Sequence, residues 1–219
     1  METLAYMANN LGTIAARTAE HLSIVGVAVT LAIVCGVALG VFIARRPRLA
    51  PVVLYAGALV ITVPSIALFG ILIPLLSVIG QGIGWLPAVI AVYLYSMAPI
   101  VRNTYTGLVG LDPALRDAAI GMGMNASQRL WRVELPNAFP VIMAGVRIAV
   151  VMNIGITAIA AYIGAGGLGT FISRGITQTD IRQLLTGAVC VSILALLSDY
   201  LLLRLQRFLT PPGLKLSVS

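Results

Sequence analysis

The 219-residue sequence predicts an all-α integral membrane protein of about five spanning helices, N-terminus outside and C-terminus cytoplasmic. Composition is the first reason: 59% of residues are hydrophobic and only 10% charged, with a mean hydropathy of +1.02. Soluble domains carry about a quarter charged residues. The second reason is patterning. No charge falls between Leu22 and Ala44, between Leu49 and Val101, or between Ile148 and Ser173, and apolar runs beyond about 18 residues span bilayers. A soluble core accounts for one such run, not for most of a chain. The third reason is the distribution of the net charge of +7. Lys and Arg collect in cytoplasmic loops, so this charge reports topology, and no nucleic-acid partner is expected.

The elements follow in order. Residues 1–20 form an extracytoplasmic segment, without the basic region that precedes the apolar core of a secretory signal. The first span runs from His21 to Ala44 and is followed by Arg45, Arg46 and Arg48. The second, from Val52 to Ile79, is interrupted by Pro64 and Pro74. It is too long for one straight crossing and too short for two. The third covers Leu86 to Tyr105, with Trp85 placed as an interfacial anchor. The fourth covers Val141 to Ile163 and the fifth Leu184 to Phe208, leaving 209–219 as a cytoplasmic tail. Residues 21–208 are therefore one transmembrane domain.

Charge decides how the second span is counted. Arg45, Arg46 and Arg48 share a side with Arg102, Arg116, Arg129 and Arg132 only if an even number of crossings separates them. The second span is thus expected as one proline-kinked helix. Arg17, Arg174 and Arg182 then lie outside, beside Glu2, Glu20 and Asp180. Cys35 and Cys190, both within apolar spans, read as packing residues. Arg147 and Asp199, near the cytoplasmic ends of the fourth and fifth spans, are expected to pair.

The loop 106–140 carries local structure of its own. Asp112 caps a helix that starts at Pro113 and runs through Asp117, Ala118 and Ala119, until Gly121 and Gly123 weaken it. Ser127 is placed to cap a second short helix, Gln128 to Leu135, which Pro136 ends. These signals describe a helical hairpin lying across the membrane face.

The same residues carry a resemblance. Asp117-Ala118-Ala119, then Gly123 after three residues, then Val133-x-Leu135-Pro136 after nine, resembles the EAA loop of binding-protein-dependent ABC importer permeases. Asp117 stands for the family's glutamate and Val133 for its isoleucine. The resemblance implies the type I importer permease (MetI-like) fold and an ATPase-coupling role for Asp117, Ala118, Ala119, Gly123, Val133, Leu135 and Pro136. Thr62-Val63-Pro64-Ser65, Pro99 to Gly107 and Gly166-Gly167-Leu168-Gly169 are similar to osmoprotectant permeases for glycine betaine, carnitine or choline. It implies two ATP-binding subunits, a second permease copy (identical or related), an extracytoplasmic substrate-binding protein, and a multi-pass place in a bacterial or archaeal cell membrane, in contact with lipid.

The chain is not expected to be an enzyme. A phosphate loop needs Gly-x-x-x-x-Gly-Lys-Ser/Thr, and the only lysine, Lys215, lacks that setting. No cofactor or metal is expected in this chain; ATP and magnesium belong to the partner ATPase. Tyr93, Tyr95 and Tyr162 are candidate pathway residues, because quaternary ammonium groups rest on aromatic faces. Pro64 is another, because a proline-interrupted, overlong span can line the pathway or bend between states; ordinary packing is the competing reading of each. Gly164 to Gly169 is either a tight turn or the rim of an exit. Another small polar solute, such as an amino acid, is the alternative cargo. An ion-driven secondary transporter is the alternative class, but it calls for internal repeats and midplane ligands that the sequence does not display.

Overall fold

The computed structural model describes residues 2–210, so the tail expected at 209–219 lies mostly outside the described residues. Among the described residues every regular element is helical. Helix α1 (Glu2–Asn9) leads into α2 (Leu11–Ala44), whose 34 residues measure about 50 Å, well beyond a hydrocarbon core of about 30 Å. The segment expected at 1–20 therefore has no structural boundary at its end: its second half continues the first span as one helix.

The second span differs from expectation. It is two helices, α3 (Ala50–Thr62) and α4 (Ser65–Ser77), bent by 98° at Val63–Pro64. Pro64 is not inside a kinked helix. It stands at the break, where its missing N–H is harmless and its fixed φ starts the next helix. The two halves together run from one end of the bundle to the other. Ala50 of α3 packs with Ile43 and Val101 near the basic end of the bundle, whereas Phe69 and Leu72 of α4 pack with Ala88 and Val92 at the other end.

Helix α5 (Trp85–Val109) is the central post, touched by α2, α3, α4 and the helix that follows the loop. Small residues bring these helices close, as membrane packing requires where lipid is as apolar as leucine. Gly36 and Gly40, four apart on α2, face Ile100 and Thr104, and a Cβ on Gly40 would stand 2.5 Å from Cβ of Thr104. A Cβ on Gly145 would stand 2.7 Å from Pro99 O. Asn153 adds polar adhesion, its Nδ2 donating to Ser96 Oγ at 2.8 Å in the buried interface.

The loop contains α6 (Pro113–Gly121) and α7 (Ala126–Arg129), but the second short helix is not the one expected. Its cap is Asn125 rather than Ser127, in a reciprocal box with Gln128. Nor does Pro136 end it. A π-turn, Leu130–Glu134, carries α7 directly into α8 (Leu135–Ile159), and Leu135 N–H reaches back five residues to Leu130 O. The wider π winding makes room for the proline ring at the start of α8. The fourth span thus begins inside the expected loop, as one run from Ala126 to Ile163. Beyond Gly164 a short helix α9 (Gly169–Thr177), unforeseen, folds back against α10 (Ile181–Leu209). Cys35, expected as packing, is exposed on α2, beside Tyr93 of α5.

Candidate functional site

At the basic end, α6 is a stage held from below. Asp112 Oδ1 accepts from Ala114 N at 2.9 Å, so the helix starts where the capping signal predicts. It stops in a Schellman turn: Gly123 N donates to Ile120 O and Met124 N to Ala119 O, with Gly123 at a φ of 75°. Of the candidate residues, Ala119 is buried beneath the helix, while Asp117, Ala118 and Gly123 are exposed above it. Leu115, Ile120 and Met122 are exposed beside them, and so is Trp131 from the π-turn. Apolar side chains gathered around a carboxylate in this way mark a surface that meets a partner.

Val133, Leu135 and Pro136 are half-buried and lie apart from that surface, at the π-turn and the foot of α8. What links the two groups is Glu134, buried to 6% exposure. Its Oε1 accepts from Arg129 Nε at 3.0 Å and lies 3.3 Å from Arg116 Nε of α6. Arg116 also donates to Leu108 O at 2.8 Å, the last turn of α5. A carboxylate shared by two guanidiniums is held firmly because leaving any one charge unpaired there is unfavourable. This linkage escaped the sequence reading. Its signal was available: Glu134 is the one acidic residue among the arginines between Asp117 and Asp180.

The pathway candidates scatter. Tyr95, on α5, is 3% exposed, and its hydroxyl donates to Val63 O at the break. That carbonyl is orphaned there, because Ala67 N bonds Pro64 O instead. Pro64 itself is exposed. Tyr93 lines a cavity of about 250 Å³ with Gly57, Val60 and Met97, between α3 and α5. Tyr162 is exposed at the far end of the run from Ala126. Tyr93 and Tyr95 occupy different faces of α5, so no aromatic cage forms from this set.

The family model for the binding-protein-dependent transport system inner membrane component matches residues 36–211, most of the chain. The chain belongs to that family. The permease is 56% identical to the osmoprotectant import permease protein OsmW of Salmonella typhimurium, over 98% of its own length and all of the relative's. It is 39% identical to the glycine betaine/carnitine/choline transport system permease protein OpuCB of Bacillus subtilis, with 98% and 96% covered. Among solved structures it is similar to an inward-facing MetNI methionine ABC transporter, with a TM-score of 0.82 at 24% identity over 90% of this chain and 96% of that one.

At the end of the permease opposite α6, the loop after Gly164 is tied to α2 as by a latch. Gly166 and Gly167 have φ of 79° and 75°, a turn that brings the Gly167 amide to α2. Gly167 N donates to Glu20 Oε2 at 2.8 Å, and Arg17 Nη1 holds the same oxygen at 2.8 Å. The Gly167 amide, and then Arg17, hold the Glu20 carboxyl below its usual range against the opposing effect of burial. A Cβ on Gly166 would collide with that carboxylate. The glycines thus serve a close approach between the loop and α2 as well as a turn.

Proposed function

We infer that the permease forms the translocation pathway for a compatible solute of the glycine betaine, carnitine or choline class across a bacterial inner membrane. The identity of 56% over nearly the whole chain to an osmoprotectant import permease is the observation that carries the solute class. The proposed assembly has two permease chains, two ATP-binding subunits that hold ATP and magnesium, and a substrate-binding protein on the outer face.

The geometry supports a route for coupling. An ATPase cleft would receive α6 through Asp117, Ala118 and the exposed Leu115, Ile120 and Met122. Movement of α6 passes to α7 through the Arg116–Glu134–Arg129 pairs and onward along an unbroken run into α8. Closure of the ATPase pair thereby becomes a tilt of the membrane helices, and alternate access follows. Val133, Leu135 and Pro136 act at the π-turn that sets the angle between stage and span.

Reconstitution with the cognate ATPase and binding protein tests this. ATP-dependent uptake of glycine betaine, carnitine or choline is expected. Uptake driven by an ion gradient without the ATPase overturns it, and ATP-driven uptake of an amino acid alone overturns the solute class.

A further inference from the structure

One ion pair joins α8 to α10. From Leu135 to Ile159, α8 has a single ionisable side chain, Arg147. Its Nε and Nη2 donate to the two carboxylate oxygens of Asp199 on α10, at 2.9 and 3.0 Å. The same antiparallel register places Gln206 Nε2 on Pro140 O at 3.1 Å. Arg147 lies seven residues, or about 10 Å, deeper than that contact. The guanidinium is clamped there, so it does not snorkel to the surface.

The pair is also open. Its side chains are 24% and 39% exposed, beside a groove of about 480 Å³ walled by Ala144, Ile148, Val151 and Ala195. Charges at such depth face a partner or water rather than lipid. In the proposed two-permease assembly, an inward position of this face meets that requirement. Arg147 keeps one edge in reserve: Nη1 has only a 3.5 Å contact with Gln206 Oε1. Asp199, bound through both oxygens, retains lone pairs on the groove side.

We propose that Arg147 and Asp199 form a transit site for a zwitterionic quaternary ammonium solute. Its carboxylate takes the free edge of Arg147, and its methylated ammonium lies between Asp199 and the aliphatic wall. The chemistry matches on three counts. A neutral ion pair accepts a net-neutral ligand without a large change in electrostatic energy. A methylated ammonium donates no hydrogen bond, so it needs charge at a distance and apolar surface in contact. Each contact is single, which keeps binding weak enough for release. The proposal rests on the solute class inferred above.

The test compares two solutes in the reconstituted complex. Glycine betaine carries a carboxylate and choline does not. Arg147→Gln is expected to lower uptake of glycine betaine about tenfold more than uptake of choline, the loss of one charge-assisted contact. Asp199→Asn is expected to lower both. Because either change leaves a partner charge unpaired, a second measurement keeps the pair intact. Ala144→Cys, with Cys35 and Cys190 replaced by Ser, is expected to react with a membrane-impermeant charged thiol reagent, more slowly in glycine betaine. Equal loss of both solutes at normal complex yield, or an unreactive Cys at 144, overturns the site alone. An unsubstituted complex that carries neither solute overturns the solute class first, and this site with it.

Discussion

Gly123 stands at a φ of 75° with nothing within 4 Å of where a Cβ would sit. Space is therefore not what reserves the position for glycine. The left-handed backbone is, and residues other than Gly, Asn and Asp are disfavoured there by about 1–2 kcal/mol. Gly123→Val is expected to unwind the last turn of α6 and to uncouple ATP hydrolysis from uptake while the membrane helices still assemble. Gly123→Asn, which tolerates that conformation, should retain most of the coupling; the ratio of solute carried to ATP hydrolysed checks both. Glu134 makes the complementary case. Glu134→Ala leaves Arg116 and Arg129, both partly exposed, without their shared partner, with an expected loss of about 1–3 kcal/mol in stability, read as a lower melting temperature of the purified complex. Glu20, just outside the first span, adds a pH dependence. Its carboxyl is held below the usual range, so the latch is fully formed above the unfolded glutamate's pKa and is lost as pH falls through the lowered one. Melting of the parent protein should weaken across that acid window, and melting of Glu20→Gln should lack that component.

At the scale of elements, the break between α3 and α4 and the run from α7 to α8 show what periodicity alone leaves open. Both contain prolines at helix-breaking positions. Pro64 stops a helix because Tyr95 waits across the interface to satisfy the orphaned Val63 carbonyl. Pro136 does not stop one, because the π-turn before it widens the winding. Each place has a proline after an aliphatic residue; the neighbours differ. Tyr95→Phe is expected to slow transport several-fold with little change in expression, by freeing the break to straighten or to recruit water. Pro64→Ala should act in the same direction by favouring a continuous helix. Transport unchanged in both, measured in the reconstituted complex, removes the break from the mechanism. The capping signals fared according to how local they are. Asp112-Pro113 starts α6 as expected, whereas Asn125 displaces Ser127 because it closes a reciprocal box with Gln128.

The whole molecule is a helical bundle around α5, with the exposed α6 at one end and the Glu20–Gly167 contact at the other. The exposed Leu115, Ile120, Met122 and Trp131 suit a buried interface better than water. Amide exchange of Ala114–Gly123 is therefore expected to slow on addition of the ATPase, while exchange in the middle of α5 stays as it was. Slow exchange in the isolated permease, with no change on adding the ATPase, argues against docking on α6.

Bilayer-length apolar runs, arginine asymmetry and the Asp117–Pro136 spacing were sufficient to determine an all-helical membrane protein and its family. Those signals are local in the chain, because a bilayer demands internally bonded backbone and unbroken apolar length from each span separately. Tertiary structure alone decided that Pro64 breaks and Pro136 does not, that Glu134 joins stage to span, and how the expected Arg147–Asp199 pair is placed beside an open groove. Each of these depends on which side chain a distant helix presents across an interface, and contacts of that kind leave no periodicity along the sequence.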